Sequence, residues 1–241
     1  MGVKKCFSVV GYHNAGKTTL ISKMIPLIRE KGFTVSVVKH AKHMGLKDSD
    51  ILFQAGSEET IATADDFSVK YFRLTKLGQL LSFVNGEVLI IEGFKGEPFP
   101  KILRGKSLSE IEGLIDELTI ACVLDDFKEG DLRGIPVFSP DEVEKIVRIA
   151  LDRSFPPLPL FNCGGCGLRN CREMAIAILM GERSYPDCVA LPSKVSLKVN
   201  GVQVPLKPFV EEVFMALNTA LVGVLKESSR EIRRIELKIE L

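Results

Sequence analysis

Two groups of residues have side chains and spacings that can do chemistry. The first is Gly11-Tyr12-His13-Asn14-Ala15-Gly16-Lys17-Thr18, which fits the phosphate-loop pattern G-x-x-x-x-G-K-[ST]. Gly11 and Gly16 let the backbone turn back and aim successive N–H groups at an anion. A helix starting at Lys17 adds its positive end at the same point. Lys17 would then reach terminal phosphates, and the Thr18 hydroxyl would ligate Mg²⁺. The second group is Cys163, Cys166, Cys171 and Cys188, spaced C-x2-C-x4-C-x16-C. Three thiolates on one glycine-rich loop can converge on a cuboidal cluster, with a distant fourth closing the set. Zinc is the rival reading, because four cysteines also make a closed tetrahedral site. Zinc sites more often pair two C-x-x-C knuckles, however, and this chain has one.

Further candidates surround the first group. Val88-Leu89-Ile90-Ile91 runs straight into Glu92, the outline of a strand whose terminal acid holds Mg²⁺ directly or through water. An acid ending a buried strand can also be a plain loop residue; downstream of a phosphate loop the metal role is the better reading. Val35 to Val38 forms another apolar run, ending at Lys39-His40, and ligands of an open α/β sheet gather at strand carboxyl ends. Asp48 follows in a polar loop expected over residues 41–50. On residue type, Lys39, His40 and Asp48 fit a nucleotide pocket and a solvated loop about equally well, whereas His43 fits the solvated loop better.

The elements that must position these residues alternate along the chain. Phe7 to Val10 is short and apolar, as a buried parallel strand should be, and Leu20, Met24, Ile25 and Ile28 after the loop keep a helical spacing. Gly32 stands where a helix C-terminus needs a left-handed residue. Short strands are expected at residues 59–64 and 68–72, a helix at 74–83, and buried strands at 119–124 and 135–138. Ser139, Pro140 and Glu142 together read as an N-cap, first helical residue and capping box for a helix buried along Val143, Ile146, Val147 and Ala150. This alternation predicts an α/β fold, a P-loop NTPase with a mostly parallel sheet flanked by helices. It covers residues 1–153. Residues 154–162, with Phe155-Pro156-Pro157-Leu158-Pro159, read as an extended linker. Residues 163–241 read as a small α+β cysteine-cluster domain. It would contain a hairpin through Asn200-Gly201, a helix from Pro208 to Lys226, and a third strand at Ile235, Leu237, Ile239 and Leu241.

Composition narrows the classes of function. The chain has 241 residues, of which 46% are hydrophobic, enough for one good core and a smaller second unit. A formal net charge of +1 argues against nucleic acid or an acidic membrane as a partner held by bulk electrostatics. No signal-peptide pattern or membrane-length apolar run is visible, so a cytoplasmic location is expected. Without export signals, clustered cysteines point to a metal or redox site rather than disulfides.

Residues 1 to about 152 resemble the molybdopterin-guanine dinucleotide biosynthesis protein MobB family. The likeness rests on GYHNAGKTT from Gly11 to Thr19, on Val37-Val38-Lys39-His40 with Lys47-Asp48-Ser49 and Ala55-Gly56, and on Ile91-Glu92-Gly93-Phe94-Lys95 with Pro98-Phe99-Pro100-Lys101-Ile102. The resemblance implies a GTP-binding protein, often a homodimer, that assists the guanylyltransferase joining GMP to molybdopterin. It also implies that Gly11, His13, Asn14, Ala15, Gly16, Lys17, Thr18 and Thr19 bind phosphates. Glu92 would lie near Mg²⁺, with Lys39, His40 and Asp48 beside the same pocket. Guanine specificity rests on the resemblance alone, because no N-K-x-D or T-K-x-D stretch follows the later strands. No water-positioning glutamine or arginine finger is evident near the loop, so slow intrinsic hydrolysis is expected, with Lys17, Thr18 and Glu92 as the catalytic set. Residues 163–188 separately resemble the four-cysteine iron–sulfur domain of anaerobic electron-transfer proteins, through Cys163-Gly164-Gly165-Cys166-Gly167, Cys171, Ala175, Ala177-Ile178, Gly181-Glu182 and Cys188. That likeness implies a [4Fe–4S] cluster in preference to zinc. The alternatives are a nucleotide-gated electron-transfer protein and an NTPase stapled by a structural zinc module.

Overall fold

The computed structural model describes residues 3–40, 47–73, 77–127, 130–191, 195–199, 202–204, 206, 208–225, 235–237 and 239. The chain divides into two compact units, Met1–Pro157 and Leu158–Leu241.

The first unit is built on a seven-stranded sheet. Strand β1 (Lys5–Val10) leads through the glycine loop into helix α1 (Lys17–Glu30), and β2 (Val35–Lys39) follows. Next come α2 (Lys47–Gln54), the pair β3 (Glu59–Thr63) and β4 (Ser68–Phe72), and the short helix α3 (Leu77–Leu80), which continues as a 3₁₀ turn. Then β5 (Val88–Glu92), β6 (Lys101–Gly105), α4 (Leu108–Ile111), β7 (Thr119–Leu124), β8 (Gly130–Leu132), β9 (Ile135–Phe138) and α5 (Val143–Arg153) complete the unit. The sheet order is β2-β5-β1-β6-β7-β9-β8, parallel except for the last pair, while β3 and β4 form a separate antiparallel ribbon. Successive connections depart to opposite sides of β1, so the carboxyl end of β1 is a topological switch point, where open α/β sheets bind ligands.

Burial explains the order. Nearly all of β1, and all of β5, β6 and β7, is buried, as expected of central strands covered on both faces. Helix α1 buries Leu20, Ile21, Met24 and Ile28, and α5 buries Ile146, Val147, Ala150 and Leu151. Gly32, at φ +87°, ends the first helix as expected.

Several elements differ from the sequence reading. Strand β6 was not expected, because two of the five residues in KILRG are charged. Both charges are buried and paired: Lys101 Nζ with Asp116 Oδ2 at 2.7 Å and Arg104 Nη2 with Asp125 Oδ1 at 2.5 Å. Helix α5 starts at Val143, later than the expected Pro140. The Glu142 carboxylate does accept the Ser139 N–H at 2.9 Å, but Glu142 has a non-helical backbone, ψ 42°, and is itself the cap. Residues 47–50 are helical where the polar loop was expected, and residues 41–46 with His43 lie outside the described residues. Ser154 and Phe155 belong to the first unit: both are buried, and the Cys6 N–H donates to Phe155 O at 2.8 Å.

The second unit holds α6 (Cys171–Leu179), β10 (Leu197–Val199), β11 (Val202–Val204) and α7 (Pro208–Gly223). Asn170 caps α6 by accepting the Glu173 N–H at 2.9 Å. The strands form an antiparallel pair, and the turn residues Asn200 and Gly201 lie outside the described residues. The expected third strand is not formed over 235–237, and Leu241 lies outside the described residues. No described helix is long and apolar enough to cross a membrane.

Candidate functional site

The glycine loop leaves β1 at the switch point and closes on α1. Its shape requires its glycines. A Cβ on Gly11 would stand 2.1 Å from the backbone oxygen of Arg104, which no side chain can occupy. Gly16 has φ +81°, a left-handed conformation that disfavours side chains, and a Cβ there would meet the Arg104 guanidinium at 3.2 Å. Asn14 also adopts a left-handed backbone, φ 58°, as asparagine tolerates. Ala15 is buried, while His13, Asn14, Thr18 and Thr19 are exposed.

Strand register supplies the rest. Glu92 is level with Val9 of β1 on one side and with Lys39 of β2 on the other, so the last residues of β5 and β2 meet beside the loop. The Thr18 hydroxyl donates to the Glu92 carboxylate, with oxygens at 2.8 and 3.0 Å. Lys39 Nζ donates to Thr18 Oγ1 at 2.9 Å and pairs with Glu92 Oε1 at 3.1 Å. Glu92 is buried, so this carboxylate is dry on most sides and anchored by two partners. Lys17 Nζ donates to Tyr12 O at 2.6 Å, and Lys95 Nζ lies over the Tyr12 ring, 3.8 Å from its centroid. Burial pushes the Lys17 pKa below the usual lysine range; Glu92 opposes this, and Lys95 and Lys39 add to it. Lys17 thus feels two further ammonium groups and one carboxylate, an excess of positive charge suited to a polyanion.

The structure therefore brings Lys17, Thr18, Lys39 and Glu92 together. His40 lies beside them: its N–H donates to Glu92 O at 3.0 Å, and its ring is 5.0 Å from that of Phe94. Asp48 is in α2, and its side chain lies outside the described residues. The sequence reading missed Arg104. It lies on β6 against both loop glycines, is buried, and is held by Asp125, Gly105 O and Val123 O. Its Nε is buried without a hydrogen-bond partner. An arginine does therefore stand at the loop, but fixed in the core rather than free to reach a ligand. The signal that could have found it is a basic residue at the carboxyl end of the strand beside β1.

Thr18 and Glu92 fit a hard divalent ion in donor type, an oxygen pair beside a phosphate-binding loop.

In the second unit, Cys163, Cys166, Cys171 and Cys188 run from exposed to buried. Cys171 Sγ accepts the Asn162 N–H at 3.4 Å, and the Cys171 N–H donates to Asn162 Oδ1 at 2.8 Å. Burial raises the Cys171 pKa, the Asn162 and Leu160 backbone bonds oppose this, and Cys163 and Cys166 raise it further. For Cys188, burial raises the pKa and the Ala190 backbone bond lowers it, while the other three thiols raise it. The donor set fits a thiophilic ion or an iron–sulfur cluster in type. Among the described residues, no three His, Cys, Asp or Glu side chains already form a set that could hold a metal ion.

Comparison with known proteins gives two family matches. The family described as Molybdopterin guanine dinucleotide synthesis protein B, MobB, matches residues 6–125, and the family described as "Putative Fe-S cluster" matches residues 158–190. A Methanocaldococcus jannaschii protein named for a molybdopterin-guanine dinucleotide biosynthesis adapter is 30% identical over 234 residues, 92% of each chain. A Bacillus subtilis protein named for the same adapter role is 30% identical over 147 residues, 56% of this chain and 84% of its own. The crystal structure of Bacillus subtilis MobB superposes with a TM-score of 0.51 at 27% identity, covering 61% of this chain and 98% of that one.

Proposed function

Because the chain belongs to the MobB family, the molybdopterin guanine dinucleotide synthesis B proteins, we propose that it is a GTP-binding adapter in molybdopterin guanine dinucleotide assembly. The observation that carries this reading is the junction of Lys17, Thr18, Lys39 and Glu92 at the carboxyl ends of β1, β2 and β5. The loop from Gly11 to Thr19 would receive the phosphates on its backbone N–H groups. Lys17, released from Tyr12 O, would pair with the terminal phosphate. Thr18 and Glu92 would hold Mg²⁺, which would supply positive charge to neutralise the phosphates. His40 and Asp48 would line the same pocket. The guanine preference and the partners, a molybdopterin guanylyltransferase with its molybdopterin, are proposed on the resemblance to the family; the relatives' named adapter role supports a place in the same biosynthesis. Assembly as a cytoplasmic homodimer would follow from the same resemblance. Hydrolysis would be slow, because the loop's arginine is tied into the core.

The four cysteines would carry a [4Fe–4S] cluster, a reading supported by the Fe-S family match, by their spacing in the sequence and by the Asn162 N–H donated to Cys171. Anaerobic iron and acid-labile sulfide analysis tests this; stoichiometric zinc in place of both would assign a structural staple instead. The nucleotide reading is tested by Lys17→Ala, which should abolish GTP binding while leaving the metal content intact. Unchanged GTP binding would overturn the assignment of the loop, and loss of the metal would overturn the division into two functional domains at residues 154–162.

A further inference from the structure

The Thr18 hydroxyl and the Glu92 carboxylate, bonded directly to each other, already share a cation. Lys39 Nζ stands 2.9 Å from the hydroxyl oxygen and 3.1 Å from the nearer carboxylate oxygen. The Thr18 hydroxyl spends its one proton on Glu92 and accepts one from Lys39, so each of the three groups satisfies the others. These are the two side chains whose oxygens would hold a divalent ion. Both are occupied by an ammonium that matches the ion in charge sign, at hydrogen-bond rather than metal-ligand distance.

Register makes this a built feature rather than a chance surface contact. Lys39 and Glu92 are directly paired across β2 and β5, each the last residue of its strand, and the His40 N–H to Glu92 O bond continues the ladder beyond them. The Lys39 stem is anchored in the sheet, yet its side chain is 49% exposed, against 9% for Glu92. The carboxylate is fixed, and the ammonium is free to swing away on a flexible stem. Two cations cannot share these oxygens at such distances, so Lys39 must leave before Thr18 and Glu92 can serve as ligands to a metal.

We propose that Lys39 is an internal counterion for the magnesium position: it holds Thr18 and Glu92 in place when no divalent ion is bound, neutralises phosphate in the absence of the ion, and is displaced by it. This rests on the reading of the loop as a nucleotide site. It predicts an unusually small dependence of nucleotide affinity on magnesium, because an ammonium already supplies part of the charge.

The test is the ratio of GTP dissociation constants in EDTA and in excess Mg²⁺, measured by calorimetry on the full chain for the wild type, Lys39→Met and Lys39→Gln. Without the ammonium, binding in EDTA should weaken by about tenfold or more, the worth of a charge-assisted hydrogen bond. Binding in Mg²⁺ should weaken far less, because the ion then supplies the charge, so the ratio rises by about tenfold. The substitutions sit at an exposed strand end, and thermal unfolding confirms that the variants fold. Two neutral replacements keep the test decisive if one of them does not. A ratio equal to that of the wild type, with both constants weakened together, would mean that Lys39 only supports the fold, and would overturn the proposal. If the wild type binds GTP under neither condition, the nucleotide reading itself is overturned, a result separate from an unchanged ratio.

Discussion

Gly11→Ala offers a sharp test of how the phosphate loop is shaped. The added Cβ would lie 2.1 Å from the backbone oxygen of Arg104 and 3.2 Å from its carbonyl carbon. An ordinary contact of this kind is roughly an ångström longer, and the obstacle is the backbone of a buried strand, so no side chain can rotate away. Relief requires β1 and β6 to separate, or the loop to shift, by about 1 Å. Overpacking of this kind costs about 3 kcal/mol, which for a chain of this size lowers Tm by about 6–12 °C. Gly32→Ala is the control. Unlike Gly11 it has a positive φ, +87°, but nothing lies within 4 Å, so only left-handed strain of about 1 kcal/mol applies, or about 2–4 °C. Differential scanning calorimetry of both variants reads the difference, and GTP titration reads the displaced loop. If Gly11→Ala melts with the wild type, or no lower than Gly32→Ala, the reasoning from this contact is wrong.

Three further outcomes are expected. Lys101→Ala should destabilise the first unit by about 3 kcal/mol in denaturant unfolding, because it strips a partner from Asp116 next to a buried strand; a change below about 1 kcal/mol would contradict the buried-pair reading. The Glu142 pKa is held below the usual carboxylate range by Lys145, and then by the Ser139 N–H, so its stabilisation is present above the unfolded-state pKa and lost as pH falls through the folded one. Glu142→Gln should therefore lower Tm at neutral pH, and the deficit should vanish in acid below the carboxylate range; a deficit that does not depend on pH would contradict this. GTP turnover by the isolated protein should be about 10⁻² s⁻¹ or slower, and single-turnover kinetics well above that would show a catalytic group that the tethered Arg104 does not supply.

The parts legible from sequence were those where a local pattern and a tertiary role coincide. β1, the loop, α1 and β5 follow from apolar runs, two required glycines and a terminal acid, each dictated by its immediate neighbours. β6 was not legible, because Lys101 and Arg104 look like solvated charges until Asp116 and Asp125 are brought beside them from later in the chain. Arg104 was missed for the same reason, although the need for glycine at positions 11 and 16 arises partly from it. Lys39 was readable as the end of a strand, but its pairing with Glu92 depends on the order and register of β2, β5 and β1, which no local pattern encodes. The start of α5 was misplaced because the capping-box bond between Ser139 and Glu142 forms in a turn, one step before the helix begins. The alternation of Ile235, Leu237 and Ile239 carries a strand pattern, but no partner strand pairs with it among the described residues.

The central claim is that Lys17, Thr18, Lys39 and Glu92 surround a magnesium-bound nucleoside triphosphate. Isothermal titration calorimetry of the intact protein with GTP, and in parallel with ATP, in the presence of Mg²⁺ tests it most directly. The account predicts saturable binding of one GTP per chain, lost in Lys17→Ala. Heats indistinguishable from dilution for both nucleotides, up to about 1 mM, would contradict it.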